Sequence, residues 1–264
     1  MYPPSHHVLR HLRLTHTWTD SEMLTTMPVL DDLCDESGWL RLGVVATLVD
    51  SAAGSFSVRE VSPDWVATLS LGTVLSRRAI GDHVTATCRP IRVGRNNITT
   101  ETLVADDVGQ VAASICTYTR LPGRADNPSV TGLASGSLDY SEADEEPRMP
   151  LDQYLRLTLD PERPIITLDH HPRIHNSFGS IQGGAAVMMI DEAACHAMRL
   201  IWQKPVRCVD AQVGYLAQAK GGPFRIEASV LRDEKTSATV RVQIVDTGNN
   251  DRLLDVASAT VVPA

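Results

Sequence analysis

Asp191 interrupts an otherwise apolar run, GGAAVMMIDEAACHAMRLIW, at 183–202. A carboxylate in such surroundings must be hydrogen-bonded, paired, protonated or open to a cleft, because burying a bare charge is costly. It either caps a neighbouring loop or acts as a reactive carboxylate. Gly183 and Gly184 open the same run. At the start of a helix their N–H groups lie at its positive end, where they stabilise negative charge developing on an oxygen. Their missing side chains also let another molecule come close. A Gly–Gly pair alone fits an ordinary turn equally well. Together with Asn176 upstream and Asp191 downstream, the signal becomes specific: a reactive carboxylate in a cleft beside amides that can hold an oxyanion.

Part of the set recurs earlier in the chain. Asp50 in LVDSAAG matches Asp191 in MIDEAAC at an offset of 141 residues, and Gly38/Gly179 and Gly43/Gly184 keep that offset. LRLT recurs at an offset of 143 (12–15 and 155–158), and VAD at 104–106 answers IVD at 244–246 at 140. Matches in one order at nearly one spacing are the mark of an internal repeat. The segment between the copies is rich in Pro, Gly, Ser and acids and lacks periodicity, as a linker does. The expected organisation is therefore a first domain over 1–121, a linker over 122–150 and a second domain over 151–264.

Each copy carries one long apolar segment, at 42–61 and 183–202, composed as a buried helix. Strand-like segments follow it. In the first copy these are ATLSLGTVLS, HVTATCRPIR, NITTETLVAD and VAASICTYTR; in the second, CVDAQVGYLA, FRIEASVLRD, SATVRVQIVD and LLDVASATVV. Most alternate apolar and polar residues with period two. One helix followed by an antiparallel meander is an α+β pattern, and a sheet wrapped around the helix would bury it.

Composition narrows the class. Hydrophobic residues make up 43% of the 264, enough for a core, while a net charge of −8 argues against a nucleic-acid partner. The five cysteines are scattered without CxxC spacing, so no metal site or disulfide framework is expected and a reducing cytoplasm fits. No apolar stretch approaches a membrane span of about 20 residues, and the first residues do not read as a signal peptide.

The pattern Asn176, Gly179, Gln182, Gly183, Gly184, Asp191 resembles the signature of the phenylacetate-pathway (PaaI-like) hotdog thioesterases, over nearly all of the second copy and more loosely the first. The resemblance implies a double hotdog, two antiparallel sheets each wrapped around a long central helix, and hydrolysis of acyl-CoA thioesters. Asp would act as general base or nucleophile, while Asn and a Gly amide hold the thioester carbonyl. A Ser or Thr on the strand after the helix would orient water, a place taken by Thr68 in the first copy and Cys208 in the second. Where the family has His before the Gly pair this chain has Gln182, a neutral hydrogen-bonding side chain. The first copy departs further, with Asp35, Arg41 and Leu42 in place of Asn176, Gln182 and Gly183. Asp35 would repel a developing oxyanion.

In similar hotdog dimers each site lies between two subunits, one giving the Asp and the other the Asn and Gly. Paired in that way, Asp50 would meet Asn176, Gln182 and Gly183, whereas Asp191 would meet Asp35, Arg41 and Leu42. The expectation is that Asp50 carries the chemistry and that Asp191 is a remnant or minor site. Arg92, Arg95 and Lys235 stand at strand junctions similar to those near coenzyme A phosphates in the family, although each also fits a solvated turn. Arg77, Arg78 and Arg120 are weaker candidates. Coenzyme A would enter as part of the substrate, with no separate cofactor, and the resemblance implies a homo-oligomer of two-copy chains. Two other readings stay open. A hotdog hydratase would need an acid–base His, for which His196 and His175 are the candidates; a catalytically impaired acyl-CoA-binding protein would explain the missing His.

Overall fold

The computed structural model describes residues 3–19, 21–123, 136–141 and 148–264. Its two long helices are α2 (Leu42–Val61) and α4 (Gly183–Trp202), each of 20 residues. Pro63 follows the end of α2 and stops it. At the start of α4 the Gln182 side chain caps by accepting from Ala185 N. At its end Gln203 takes a left-handed conformation, φ 52°, and returns its N–H to Arg199 O.

The strands after each helix form a meander. In the first copy these are β3 (Trp65–Leu75), β4 (His83–Val93), β5 (Asn97–Asp106) and β6 (Gly109–Leu121). In the second they are β10 (Val206–Tyr215), β11 (Phe224–Asp233), β12 (Ala238–Asp246) and β13 (Arg252–Pro263). The starts of α2, β3, β4 and β5 recur 141 residues later as the starts of α4, β10, β11 and β12, in the same order and at the spacing of the sequence matches. Before the helices come shorter elements too brief to show a period. These are α1 (Val8–His11), β1 (Thr15–Trp18) and β2 (Met23–Pro28) in one copy. Their counterparts are α3 (Leu151–Tyr154), β8 (Thr158–Leu159) and β9 (Ile165–Leu168). The segment expected as a linker contributes β7 (Ser137–Asp139), paired with β1; residues 124–135 and 142–147 of that segment lie outside the described residues.

The expectation of two sheets is corrected. Among the described residues all strands belong to one 13-stranded sheet, ordered β7-β1-β2-β4-β5-β6-β3-β10-β13-β12-β11-β9-β8. The join is β3 against β10, antiparallel, from Ser70↔Gly214 to Val74↔Asp210. Each is the first strand after its helix and would otherwise leave an open edge of unpaired backbone groups. Helix α2 packs on β2 to β6 and α4 on β9 to β13, and the helices pack on each other. The apolar cores of both halves thereby form one continuous cluster.

Two glycines let the helices touch. A Cβ on Gly43 would lie 2.4 Å from Met188 Cα, and one on Gly184 would lie 2.3 Å from Thr47 Cα. These are backbone atoms that cannot give way, so adding even a methyl must push the helices apart. Among the described residues no helix is long and apolar enough to cross a membrane. Gly43→Ala and Gly184→Ala are each expected to destabilise the chain by about 1–3 kcal/mol through overpacking. Chemical denaturation checks this, and unchanged midpoints would contradict the close crossing.

Candidate active site

The antiparallel helix pair places the carboxylate of each helix at the N-terminus of the other. Gly184 N donates to Asp50 Oδ2 at 3.0 Å, and Gly43 N donates to Asp191 Oδ2 at 2.9 Å. Both residues are 6% exposed. Each satisfies a first-turn N–H that has no intrahelical acceptor and sits at the positive end of the partner's dipole. This backbone contact is what the two ends share.

Side chains differ completely between the ends. Asp50 Oδ2 also accepts from Gln182 Nε2 at 2.7 Å. Because Gln182 Oε1 accepts from Ala185 N at 2.8 Å, one amide both caps α4 and holds the carboxylate. Asp50 Oδ1 accepts from Thr68 Oγ1 and from the Tyr118 hydroxyl, each at 3.2 Å. Gly183 completes the wall: a Cβ there would lie 2.9 and 3.1 Å from the two carboxylate oxygens and 3.1 Å from Thr68 Oγ1. Burial pushes the Asp50 carboxyl up, opposed by the Gly184 N–H and the Tyr118 and Thr68 hydroxyls.

Around Asp191 none of these side-chain donors recurs. Arg41, at the position of Gln182, turns to Glu192 at 3.1 Å, and Arg199 holds the other oxygen of Glu192. Thr68 and Tyr118 face each other just before a bulge in β3; Cys208 and Val261 occupy the same rung before the matching bulge in β10. Among the described residues the remaining donor to Asp191 is Cys195, whose sulfur lies 3.6 Å from Oδ1. Cys195 stands where α2 has Gly54, whose lack of a side chain leaves the space beside the Tyr118 ring. Burial raises Asp191 to about 6 against the lowering pull of the Gly43 N–H and Arg41. A small cleft opens beside it, lined by residues including Arg41, Leu42, Cys195, Arg207 and Cys208.

The loops before the two helices correct one expectation. Asn176 Oδ1 accepts from Phe178 N at 2.9 Å and Ser180 N at 3.1 Å, and Asp35 Oδ1 accepts from Ser37 N at 2.9 Å and Trp39 N at 3.1 Å. Either residue shapes the same turn, because both carry an acceptor oxygen at that place. The Asp35 charge is met by Arg207 Nε of β10 at 3.1 Å, so it does not stand unopposed as its sequence position suggested.

The candidate cations divide between the two ends. The rung of Thr68 and Tyr118 continues through Ile98 to Val93, placing the exposed Arg92 and Arg95 in the hairpin beside Asp50's end. The rung of Cys208 runs through Val261 to Ala238, so Lys235 belongs to Asp191's end. Arg77 is committed to Asp106 and Arg120 to Asp64, while Arg78 lies over Gly38. His196 Nε2 lies 2.8 Å from Asp160 O and 3.1 Å from Arg163 O, and the ring of His175 lies against that of His170. Among the described residues no group of three or more His, Cys, Asp or Glu side chains is placed to hold a metal.

Sequence reasoning missed Tyr118 and Tyr215, whose hydroxyls reach this end, and Asp255, paired with Tyr215. Tyr118 reads as ordinary strand core. Tyr215 donates from its hydroxyl to Gly183 O at 2.8 Å. Asp255 stands opposite Tyr215 in the sheet and is 4% exposed. Its signal was available: Asp255 shares the inward phase of β13 with Ala257, Ala259 and Val261.

Comparison with known proteins is consistent with this architecture. Residues 171–263 match the family model described as the acyl-CoA thioesterase N-terminal domain. No curated protein matches the chain. A protein of unknown function with a hot dog fold from Alicyclobacillus acidocaldarius matches at TM-score 0.60 and 10% identity, covering 94% of this chain and 95% of that one. The tesB protein of Mycobacterium avium subspecies paratuberculosis matches at 0.62 and 10%, covering 97% and 98%. A 12:0-ACP thioesterase from Umbellularia californica matches at 0.63 and 11%, covering 92% and 94%. At such identities the likeness is one of fold, and the fold is the hotdog.

Burial of the Asp255 carboxyl pushes it up to about 8. A carboxyl raised in the folded state binds its proton more tightly there than in the unfolded chain, so stability is greatest below the unfolded value near 3.9 and falls as pH rises to about 8. Asp255→Asn is expected to remove this loss, on the order of a few kcal/mol, from denaturation curves taken across that range. Equal pH dependence in both proteins would contradict it.

Proposed function

We propose that the chain is an acyl-CoA thioesterase built as a tandem hotdog, with copies over 1–121 and 151–264 and a working site between them at Asp50. The observation that carries this reading is the convergence of neutral donors on one carboxylate at a helix N-terminus. Gln182, Gly184, Thr68 and Tyr118 all donate to Asp50, from three elements and a cap, whereas equally buried Asp191 has no such set. Burial alone therefore does not demand it.

In the proposed step a water molecule adds to the thioester carbonyl carbon while Asp50 takes its proton. The carbonyl oxygen, now negative, is held at the N-terminus of α4 by the Gly183 N–H and by Asn176. The C–S bond then breaks as the oxyanion collapses, and the proton on Asp50 passes to the departing sulfur. Free acid and coenzyme A leave, with Asp50 restored. Direct attack by Asp50, followed by hydrolysis of the mixed anhydride, uses the same residues. The two hydroxyl donors sit on Oδ1 and can rotate, whereas the two N–H donors on Oδ2 are fixed, which favours Oδ1 as the reacting atom. Arg92 and Arg95 are the cations on this side for the phosphates of coenzyme A. Metal or a separate cofactor has no part in this scheme, and the setting proposed is a cytoplasmic homo-oligomer.

A second reading, binding of acyl-CoA without hydrolysis, draws on the same geometry, since four donors leave Asp50 no idle lone pair. Thiol release from a panel of short, long and aromatic acyl-CoAs separates the two. Asp50→Asn is expected to lose about 10²–10⁴-fold in rate, while Asp191→Asn keeps most of it. The reverse ranking would move the site to Asp191, and no release with measurable acyl-CoA binding would favour the binding protein.

A further inference from the structure

Asp255 is a buried acid without a partner. Its residue is 4% exposed, and among the described residues its carboxyl enters no hydrogen bond or ion pair. It faces the interior from β13, directly across from Tyr215 of β10. Tyr215 in turn reaches the opening of α4, donating to Gly183 O at 2.8 Å. The Tyr215 hydroxyl is driven up by burial, then by the charges of Asp50 and Asp255, so both carboxyls lie within electrostatic reach of this one ring. Gly183 thus stands between the Asp50 carboxylate and Tyr215, and Tyr215 in turn pairs with Asp255 across the sheet.

The same rung at the other end is apolar. There β3 and β6 pair Leu75 with Ala112, both buried. The fold therefore accepts a fully apolar pair at this place. An unsatisfied buried acid is destabilising, and a ligand that completes its hydrogen bonds offsets the cost. Its ordinary condition in such an interior is the neutral acid, which donates one hydrogen bond and accepts others. That is the complement of a hydroxyl group. An ammonium group would require the acid to ionise in a space that disfavours charge.

We propose that Asp255, with Tyr215 beside it, reads a hydroxyl on the acyl chain, so that the preferred substrates of the Asp50 site are hydroxyacyl thioesters. The proposal rests on the thioesterase reading for its reaction, but the recognition it describes is measurable without turnover.

The test compares hydroxyacyl-CoAs, with the hydroxyl at successive chain positions, against unsubstituted and amino-substituted acyl-CoAs of equal length. The wild type should favour its best hydroxyacyl-CoA over the unsubstituted thioester by about tenfold or more in kcat/KM. Asp255→Leu should bring that ratio close to one, and Asp255→Asn, which keeps a donor and an acceptor, should retain part of it. No preference in the wild type, a preference that survives Asp255→Leu, or a preference for the amino-substituted chain overturns the proposal. If the wild type releases no thiol, calorimetric binding of the same panel decides. A hydroxyl-dependent affinity lost in Asp255→Leu sustains the recognition while the hydrolytic reading fails, and a hydroxyl-independent affinity overturns the recognition itself. Should Asp255→Leu not fold, Asp255→Asn against wild type supplies the comparison, and equal ratios in the two for unsubstituted, hydroxylated and amino-substituted chains count against the proposal.

Discussion

The structure turns on a reciprocal exchange: each long helix gives a carboxylate to the N-terminus of the other. Gly184 N donates to Asp50 and Gly43 N to Asp191. The contact requires the helices to lie antiparallel and nearly backbone to backbone, and Gly43 and Gly184 provide that closeness. It solves two problems at once, since a buried carboxylate needs donors and a helix start needs acceptors. The 13-stranded sheet follows from the same symmetry. Once the helices are paired, the first strand after each comes edge to edge with its counterpart, and β3 and β10 zip together.

From this shared frame the two ends diverge by a few substitutions of matched size. Where one end has Gly54 and Tyr118, the other has Cys195 and Val261, so a ring and hydroxyl on the strand are exchanged for a thiol on the helix. Where one has Gln182, which caps the helix and holds the acid, the other has Arg41, drawn off to Glu192. One carboxylate sits among neutral donors and the other beside an ion-pair chain. Duplication inside one chain frees the two ends to change separately, which identical subunits cannot do.

Much of this was legible in the sequence. The bounds 42–61 and 183–202 of the long helices followed from composition; the offset of 141 identified which positions correspond, and the pairing implied by the resemblance set Asp50 beside Gln182 and Gly183. What escaped had physical causes. The short strands β1, β2, β8 and β9 are too brief to show a period. The union of the sheets depends on how two edges meet, which no local pattern records. Tyr118 looked like any inward strand residue, since only the fold reveals that its hydroxyl ends at Asp50. Asp35 was read as a charge that would repel an oxyanion, because its partner Arg207 is far away in sequence. Asp255 could have been flagged as a charge in the inward phase of its strand.

The central claim is that one end of this nearly symmetric frame is equipped to take a thioester and the other is not. The most direct measurement is the stoichiometry of a non-hydrolysable thioether analogue of acyl-CoA, titrated by calorimetry into the wild-type chain. One equivalent per chain is the result expected from a single equipped end. Two equivalents of like affinity would contradict it and make Asp50 and Asp191 equal partners.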